Sequence, residues 1–180
     1  MASPLLALLS AYTPQWVRRR QLVRLLQVTA EAFEVPLPTQ RRSCPELLED
    51  YAALTARQAA EALRSGQDLA PIRERLYRGA RGMGCDLRHW LHVRTPTQVM
   101  AAARLAYRAL GIDLKGFPDG SIVVSRCCFA RHYSPEVCRL ISALDAGLLA
   151  GLSGGGRLEF SQRITEGAAC CLARLEPLPQ

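Results

Sequence analysis

Lysine is nearly absent. Lys115 is the only one among 180 residues, so the net charge of +7 is carried by arginine. So uneven a use of the two basic residues points to codon bias, which takes most of the weight from any electrostatic argument. Aromatic residues are also few, at 6%. The arginines are scattered apart from Arg18, Arg19 and Arg20 and the pair Arg41 and Arg42, whereas a nucleic-acid surface needs clustered charge interleaved with stacking rings. A solvated basic face is expected, without a nucleic-acid partner. Long hydrophobic runs are missing as well, because none approaches the roughly 20 residues of a membrane span. The opening MASPLLALLSAYTP lacks the basic lead and small-residue cleavage site of an export signal. The expectation is a soluble, cytoplasmic protein without membrane contact. Seven cysteines is an odd number, in a chain that is 49% apolar and long enough to build a core without staples. Reduced thiols are therefore expected rather than a disulfide framework.

The chain divides near residue 111, into a helical half over 1–111 and a second half over 112–180, expected to pack as one compact domain. Thr13-Pro14 offers a capping hydroxyl and a residue pre-set at helical φ ahead of Trp16, Val23, Leu26 and Phe33. Val35-Pro36-Leu37-Pro38 ends that helix. Ser43 and Glu46 have the spacing of a capping box before Leu47, Leu48, Tyr51, Leu54, Ala59 and Leu63, and Ser65-Gly66 stops the pattern. A third helix opens at Asp68 and carries Leu69, Ile72, Leu76, Met83, Leu87 and Trp90. Its Gly79, Gly82 and Gly84 each cost about 1 kcal/mol in a helix interior, and so imply either a close helix approach or a break. Thr95, Pro96 and Gln98 start a fourth helix, with Val99, Ala103, Ala106 and Leu110 on one face and Gly111 as its stop.

Beyond Gly111 the period changes to that of strands. Residues 112–117 and 121–129 read as a hairpin around Pro118-Asp119-Gly120. Ser134-Pro135-Glu136 caps a helix through Leu152, closed by Gly154-Gly155-Gly156. Leu158, Phe160 and Ile164 alternate with Glu159, Ser161 and Arg163 along a strand, and Glu166-Gly167 turns the chain back through Ala168 to Leu175. The expected fold is α+β: helices first, then a β-β-α-β-β antiparallel sheet with one helix packed on it.

Several residues could carry chemistry. Cys138, Ser142, Asp145 and Leu149 share one stripe of the helix that begins at Ser134. Because its neighbours are almost all apolar or small, Asp145 is expected in a pocket at a raised pKa, where a carboxylate works as general acid or base. The alternative is a solvent-facing aspartate. Cys127-Cys128 and Cys170-Cys171 fall on two expected strands, where neighbouring side chains point to opposite faces. If those strands pair, Cys128, Cys138, Cys170 and His132 form the set that could take zinc. No C-x2-C knuckle supports it, so the expectation is no metal and thiols that fill space or react singly. Gly151-Leu152-Ser153-Gly154-Gly155-Gly156 follows a helix and precedes a strand, the reverse of a phosphate cradle, and His89 and His92 lack a third ligand.

These same segments resemble a known family. Residues 127–138 (CCFARHYSPEVC), Ser142-Ala143-Leu144-Asp145, Gly151-Leu152-Ser153-Gly154-Gly155, Arg163-Ile164-Thr165-Glu166-Gly167 and Cys170-Cys171 resemble the L-2-amino-thiazoline-4-carboxylic acid hydrolases. Tyr51-Ala52-Ala53-Leu54-Thr55 looks like the helices of the family's broader members. The resemblance implies hydrolytic opening of a small carboxylated S/N heterocycle. The same half also resembles the 4-vinyl reductase domain, a small-molecule-binding α+β module, and this implies a non-catalytic binding or sensory domain instead. Zinc-binding members of that second family carry E-x2-C-x7-C; the frame here reads Glu159, Gln162 and Cys170, without the middle thiolate.

Ring-opening hydrolysis needs a base for water and an acid for the leaving atom, and Asp145 and His132 are the candidates, with Cys138 as an alternative nucleophile. The substrate carboxylate asks for an arginine, and Arg163, Arg131 and Arg126 lie on or beside the expected sheet. Ser142, Cys128 and Glu166 complete the expected binding set. No cofactor is required. A small molecule is the expected partner, and either a homodimer or a partner protein is compatible with the sequence.

Overall fold

A computed structural model describes residues 4–37 and 43–176, and there five helices precede a four-stranded sheet into which a sixth is inserted. The helices are α1 (Pro4–Ala11), α2 (Gln15–Ala32), α3 (Cys44–Arg64), α4 (Ala70–Trp90), α5 (Pro96–Ala109) and α6 (Pro135–Ser153). The strands are β1 (Asp113–Gly116), β2 (Ser121–Arg126), β3 (Arg157–Gln162) and β4 (Cys171–Glu176), antiparallel in the order β1-β2-β4-β3. The fold is α+β, helices first, as the change of period at Gly111 requires. Pro38 and the Arg41-Arg42 pair lie outside the described residues.

Local chemistry sets most helix starts. The Ser43 amide donates to Glu46 Oε2 at 2.8 Å, and the Thr95 amide to Gln98 Oε1 at 3.1 Å while Gln98 N donates back to Thr95 Oγ1. Ser134 Oγ accepts from the Val137 amide. Each cap satisfies an amide that the first helical turn leaves without a partner. Two starts differ from expectation. Thr13 does not cap α2: its hydroxyl donates back to Leu9 O at 3.0 Å, closing the unexpected α1, and Pro14 takes the N-cap position. Asp68 accepts from Ala70 N at 2.9 Å, so α4 begins two residues later than the sequence suggested.

The strands are shorter than their alternation implies. β2 stops at Arg126, and Cys128–Arg131 form a turn of 3-10 helix, because Phe129 leaves the sheet to be buried edge-on against Tyr51, ring centroids 5.3 Å apart. Ile164–Glu166 form a second such turn, and Gly167 at φ +90° redirects the chain. Consequently neither cysteine pair alternates across a strand: Cys127 and Cys128 follow β2, while Cys170 precedes β4.

On the sheet, Val124 faces Cys171, and Ile122 and Phe160 both flank Ala173. With Leu114, Leu158 and Leu175 these residues form the inner face. α6 packs on that face, and α4 packs behind α6 at backbone contact. A Cβ on Gly84 would collide with the Leu148 carbonyl, and one on Gly151 with the carbonyl of Arg81. Of the two readings of the glycines, close approach holds, since α4 is continuous over 79–84. Gly79 meets Val28, whereas a Cβ on Gly82 would meet nothing. One hydrophobic cluster, with Leu22, Leu76, Leu140, Leu149 and Leu152 fully buried, joins the helices to the sheet. Both tryptophans stay outside it: Trp16 is 64% and Trp90 40% exposed.

Neighbouring glycines of α4 therefore respond oppositely to one methyl group. Gly82→Ala gains about 0.5–1 kcal/mol in urea unfolding, the helix-propensity difference. Gly84→Ala loses roughly 1–3 kcal/mol or more through overpacking against backbone that cannot yield. Equal effects at the two positions would remove the close approach as a constraint on the fold.

Candidate functional site

Between the inner sheet face and helices α2 to α6 the structure leaves a cavity of about 130 Å³. That is about the volume that admits a benzene-sized molecule. Its walls are mostly aliphatic and aromatic. Phe129 stacks on Tyr133, centroids 5.7 Å apart, and Tyr51 closes edge-on. The Tyr133 hydroxyl is bonded to Thr55 Oγ1, which reaches back to Tyr51 O at 2.7 Å. This wall is thus tied to α3 by hydrogen bonds as well as by packing.

Polar groups enter from α6 and from the end of β3. The stripe Cys138, Ser142 and Asp145 lines the cavity, as helical periodicity requires of a helix lying on a sheet. The Tyr107 hydroxyl, from α5, donates to Asp145 Oδ1 at 2.6 Å. Arg163 Nη1 donates to Ser142 Oγ at 2.6 Å and approaches Cys138 Sγ at 3.8 Å, and the Ser142 hydroxyl donates in turn to Cys138 O at 2.6 Å. The guanidinium lies 3.9 Å from the centroid of the Phe160 ring, a cation–π arrangement that helps fix its plane. Arg163 is partly exposed and therefore sits at the rim.

Burial sets the protonation states. It raises Asp145 from the ordinary 3.8 to about 6, against the downward pull of the Tyr107 hydrogen bond and the Arg163 charge. Burial also lifts the Tyr51 and Tyr107 phenols well above 10, helped at Tyr51 by Tyr133 and at Tyr107 by Asp145. It raises Tyr133 and pushes the Cys127 thiol up to about 12. Cys171, whose Sγ accepts from the Ile164 amide, is raised for the same reason. At neutral pH the phenols and these two thiols carry no charge, which leaves Asp145 and Arg163 as the charged side chains of the cavity wall.

Of the residues singled out in the sequence, Asp145, Cys138, Ser142 and Arg163 meet at this cavity. The others lie elsewhere. His132, expected as the acid opposite Asp145, is exposed, its Nε2 accepting from Arg131 Nε at 2.9 Å. The 3-10 turn that buries Phe129 points both His132 and Arg131 outward. Arg126 pairs with Asp113 at 3.0 Å and Glu166 with Arg139 at 3.4 Å, all of them on the surface. Cys128 Sγ donates to Leu110 O at 3.0 Å and does not line the cavity.

The conditional zinc set does not assemble: among the described residues no three His, Cys, Asp or Glu side chains gather closely enough to hold a metal ion. In the E-x2-Q-x7-C frame, Glu159 pairs with Arg157 on the outer face, while Gln162 Nε2 donates to Cys170 O at 3.0 Å. Gly154 is the left-handed C-cap of α6 and carries no phosphate cradle.

Sequence reasoning passed over Tyr107, Tyr133, Thr165 and, as site residues, Tyr51, Cys127 and Cys171, all of which line the cavity. Tyr107 had a signal, because it lies four residues after Ala103 on the apolar face of α5. A tyrosine on a core stripe must find a partner for its hydroxyl.

Asp145 makes stability depend on pH. Between about pH 4 and 6 the folded chain holds a proton there that the unfolded chain has lost, so stability falls as pH rises through this window. Above it the cost is fully present, up to about 3 kcal/mol for a shift of this size. Asp145→Asn keeps an acceptor for Tyr107 and removes the charge; it therefore raises Tm at pH 8 and converges on the parent protein near pH 4. A Tm difference that does not change with pH would contradict the raised pKa.

No family model matches this chain, and no curated protein matches it. Among the described residues no helix is long and apolar enough to cross a membrane. Among solved structures, a mutant H-NOX domain from Shewanella oneidensis in the Fe(II)CO ligation state is similar to 86% of this chain over 90% of its own length, with 15% identity and a TM-score of 0.40.

Proposed function

We propose that this chain is a small-molecule-binding domain whose ligand is a largely apolar molecule about the size of one ring. The observation that carries the reading is the cavity itself: aromatic and aliphatic walls around the hydrogen-bonded pairs Tyr107–Asp145 and Arg163–Ser142. Apolar walls with a few placed polar groups are what small-molecule sites consist of. This reading goes with the resemblance to the 4-vinyl reductase domain.

Hydrolysis of a thiazoline carboxylate is the second reading. It is favoured by Asp145, whose raised pKa suits a general base, standing with Cys138 on one face of α6. Against it stands the exposed position of His132, which leaves Asp145 without the acid partner that ring opening asks for.

Phenol, indole, cyclohexanol and short carboxylic acids, each added to the purified chain, separate the readings. A ligand at a hundredfold excess over its Kd stabilises the folded state by about 2.7 kcal/mol, which for a chain of this size raises Tm by roughly 5–10 °C. Ala173→Leu and Ala106→Leu, which enlarge side chains on the cavity wall, reduce that rise. No Tm increase with any compound would refute the binding reading. Turnover of L-2-amino-thiazoline-4-carboxylate that Asp145→Asn abolishes would establish the hydrolytic one.

A further inference from the structure

We infer that the corner between α1 and α2 docks on an anionic membrane surface: Leu8, Tyr12 and Trp16 enter the headgroup layer, and arginines of α2 and α5 meet its charge. This departs from the expectation of no membrane contact, and it requires no spanning segment. Among the described residues six large apolar side chains are exposed, and three of them fall within nine residues: Leu8 at 66%, Tyr12 at 69% and Trp16 at 64%. The Tyr12 amide donates to Leu8 O at 3.0 Å, so these two lie one turn apart on one face. Trp16 follows in the first turn of α2, just past the Pro14 N-cap. Contiguous exposed apolar groups mark interaction sites, whereas scattered ones are ordinary.

The corner is held firmly from behind. Leu6, Leu9 and Val17 are buried. Arg108 Nη2 donates to Leu9 O at 3.0 Å and to Thr13 Oγ1 at 2.9 Å, and Arg18 Nε donates to Ala109 O at 2.8 Å. The exposed side of α1, with Ala7, Leu8 and Ala11, is thus a fixed surface. A surface helix ordinarily turns charged residues to water. Here the first charged side chain of the sequence is Arg18.

Charge selects the occupant. Residues 4–30 and α5 hold arginines at 18, 19, 20, 24, 104 and 108 and no acidic residue. Asp86 of α4 is taken by Arg24. Glu46 of α3, whose first residue touches Gln15 O through Cys44 Sγ at 3.9 Å, is engaged by Ser43. Arg20 and Arg104 are exposed and without a partner among the described residues, and Arg104 lies one turn before the Arg108 that holds α1. A second copy seated here about a two-fold axis would bring the same arginines together. An anionic surface neutralises them instead. Side chains about two-thirds exposed are knobs rather than the walls of a groove, and none of the three lines the cavity. A protein partner would need matching pockets for them, whereas a headgroup layer yields. Tryptophan and tyrosine settle at that depth, and anionic lipid attracts arginine.

Co-sedimentation of the full chain with vesicles tests the surface. The chain binds phosphatidylcholine vesicles that contain phosphatidylserine, binds pure phosphatidylcholine at least tenfold more weakly, and is released as salt shortens the screening length from about 10 Å at 0.1 M to about 3 Å at 1 M. Trp16→Ser and Leu8→Ser each weaken binding roughly tenfold, and Arg20→Gln and Arg104→Gln each about fivefold. Phe117→Ser, at an exposed apolar residue of the β1–β2 turn, leaves binding unchanged, and all five variants keep the Tm of the parent chain. With Trp90→Phe as background, Trp16 emission moves to shorter wavelength on the anionic vesicles. No binding to anionic vesicles would overturn the inference, as would equal binding to the neutral ones or an unshifted Trp16 emission. A dimer in solution that Trp16→Ser dissociates would also overturn it, in favour of a second copy.

Discussion

Backbone contact between α4 and α6 is the constraint on which the rest of the structure depends. Gly84 and Gly151 let the two helices meet at a distance no side chain would permit. α6 is thereby fixed on one side against a helix, and its other side is free to carry a mixed stripe toward the sheet. Few residues of α6 face water, which is why a serine and an aspartate on it must find partners inside the protein. Ser142 finds Arg163 and Asp145 finds Tyr107. The polar content of the cavity is thus a result of helix packing as much as of chemistry.

That arrangement also explains the uneven distribution of charge. Burial is the first cause of the raised pKa at Asp145, Tyr107, Tyr51 and Cys127, and at the two phenols and the thiol the Asp145 carboxylate adds to it, because each would become an anion near that charge. Arg163 is the counterweight, and it stands at the rim where water still reaches it. Moving such an arginine inward would require a second buried anion. Leaving it at the entrance lets it keep part of its hydration.

What was legible in the sequence was local. The capping pairs Ser43–Glu46 and Thr95–Gln98 and the cap at Ser134 operate within four residues, so they can be read without knowledge of the fold. The stripe Cys138–Ser142–Asp145 was legible because helical geometry alone puts those residues on one face. The failures were non-local. Phe129 continues an alternating strand pattern, but its place against Tyr51, 78 residues earlier in the chain, pulls it out of the sheet and swings His132 outward. Arg126, Arg131 and Glu166 looked like site residues by proximity in sequence, and surface ion pairs or turns took them elsewhere. The short α1 was passed over, and Tyr107 was hidden as one more apolar position on α5.

The position of the two tryptophans has an optical consequence. Trp16 and Trp90 emit from solvent-facing sites on α2 and α4, so the dominant intrinsic fluorophores are spectators of the cavity. The chromophores that border it are Tyr51, Tyr107 and Tyr133, whose absorption lies at shorter wavelength. Near-ultraviolet difference spectra of the phenols, rather than tryptophan emission, are the native signal in which occupation of the cavity is written.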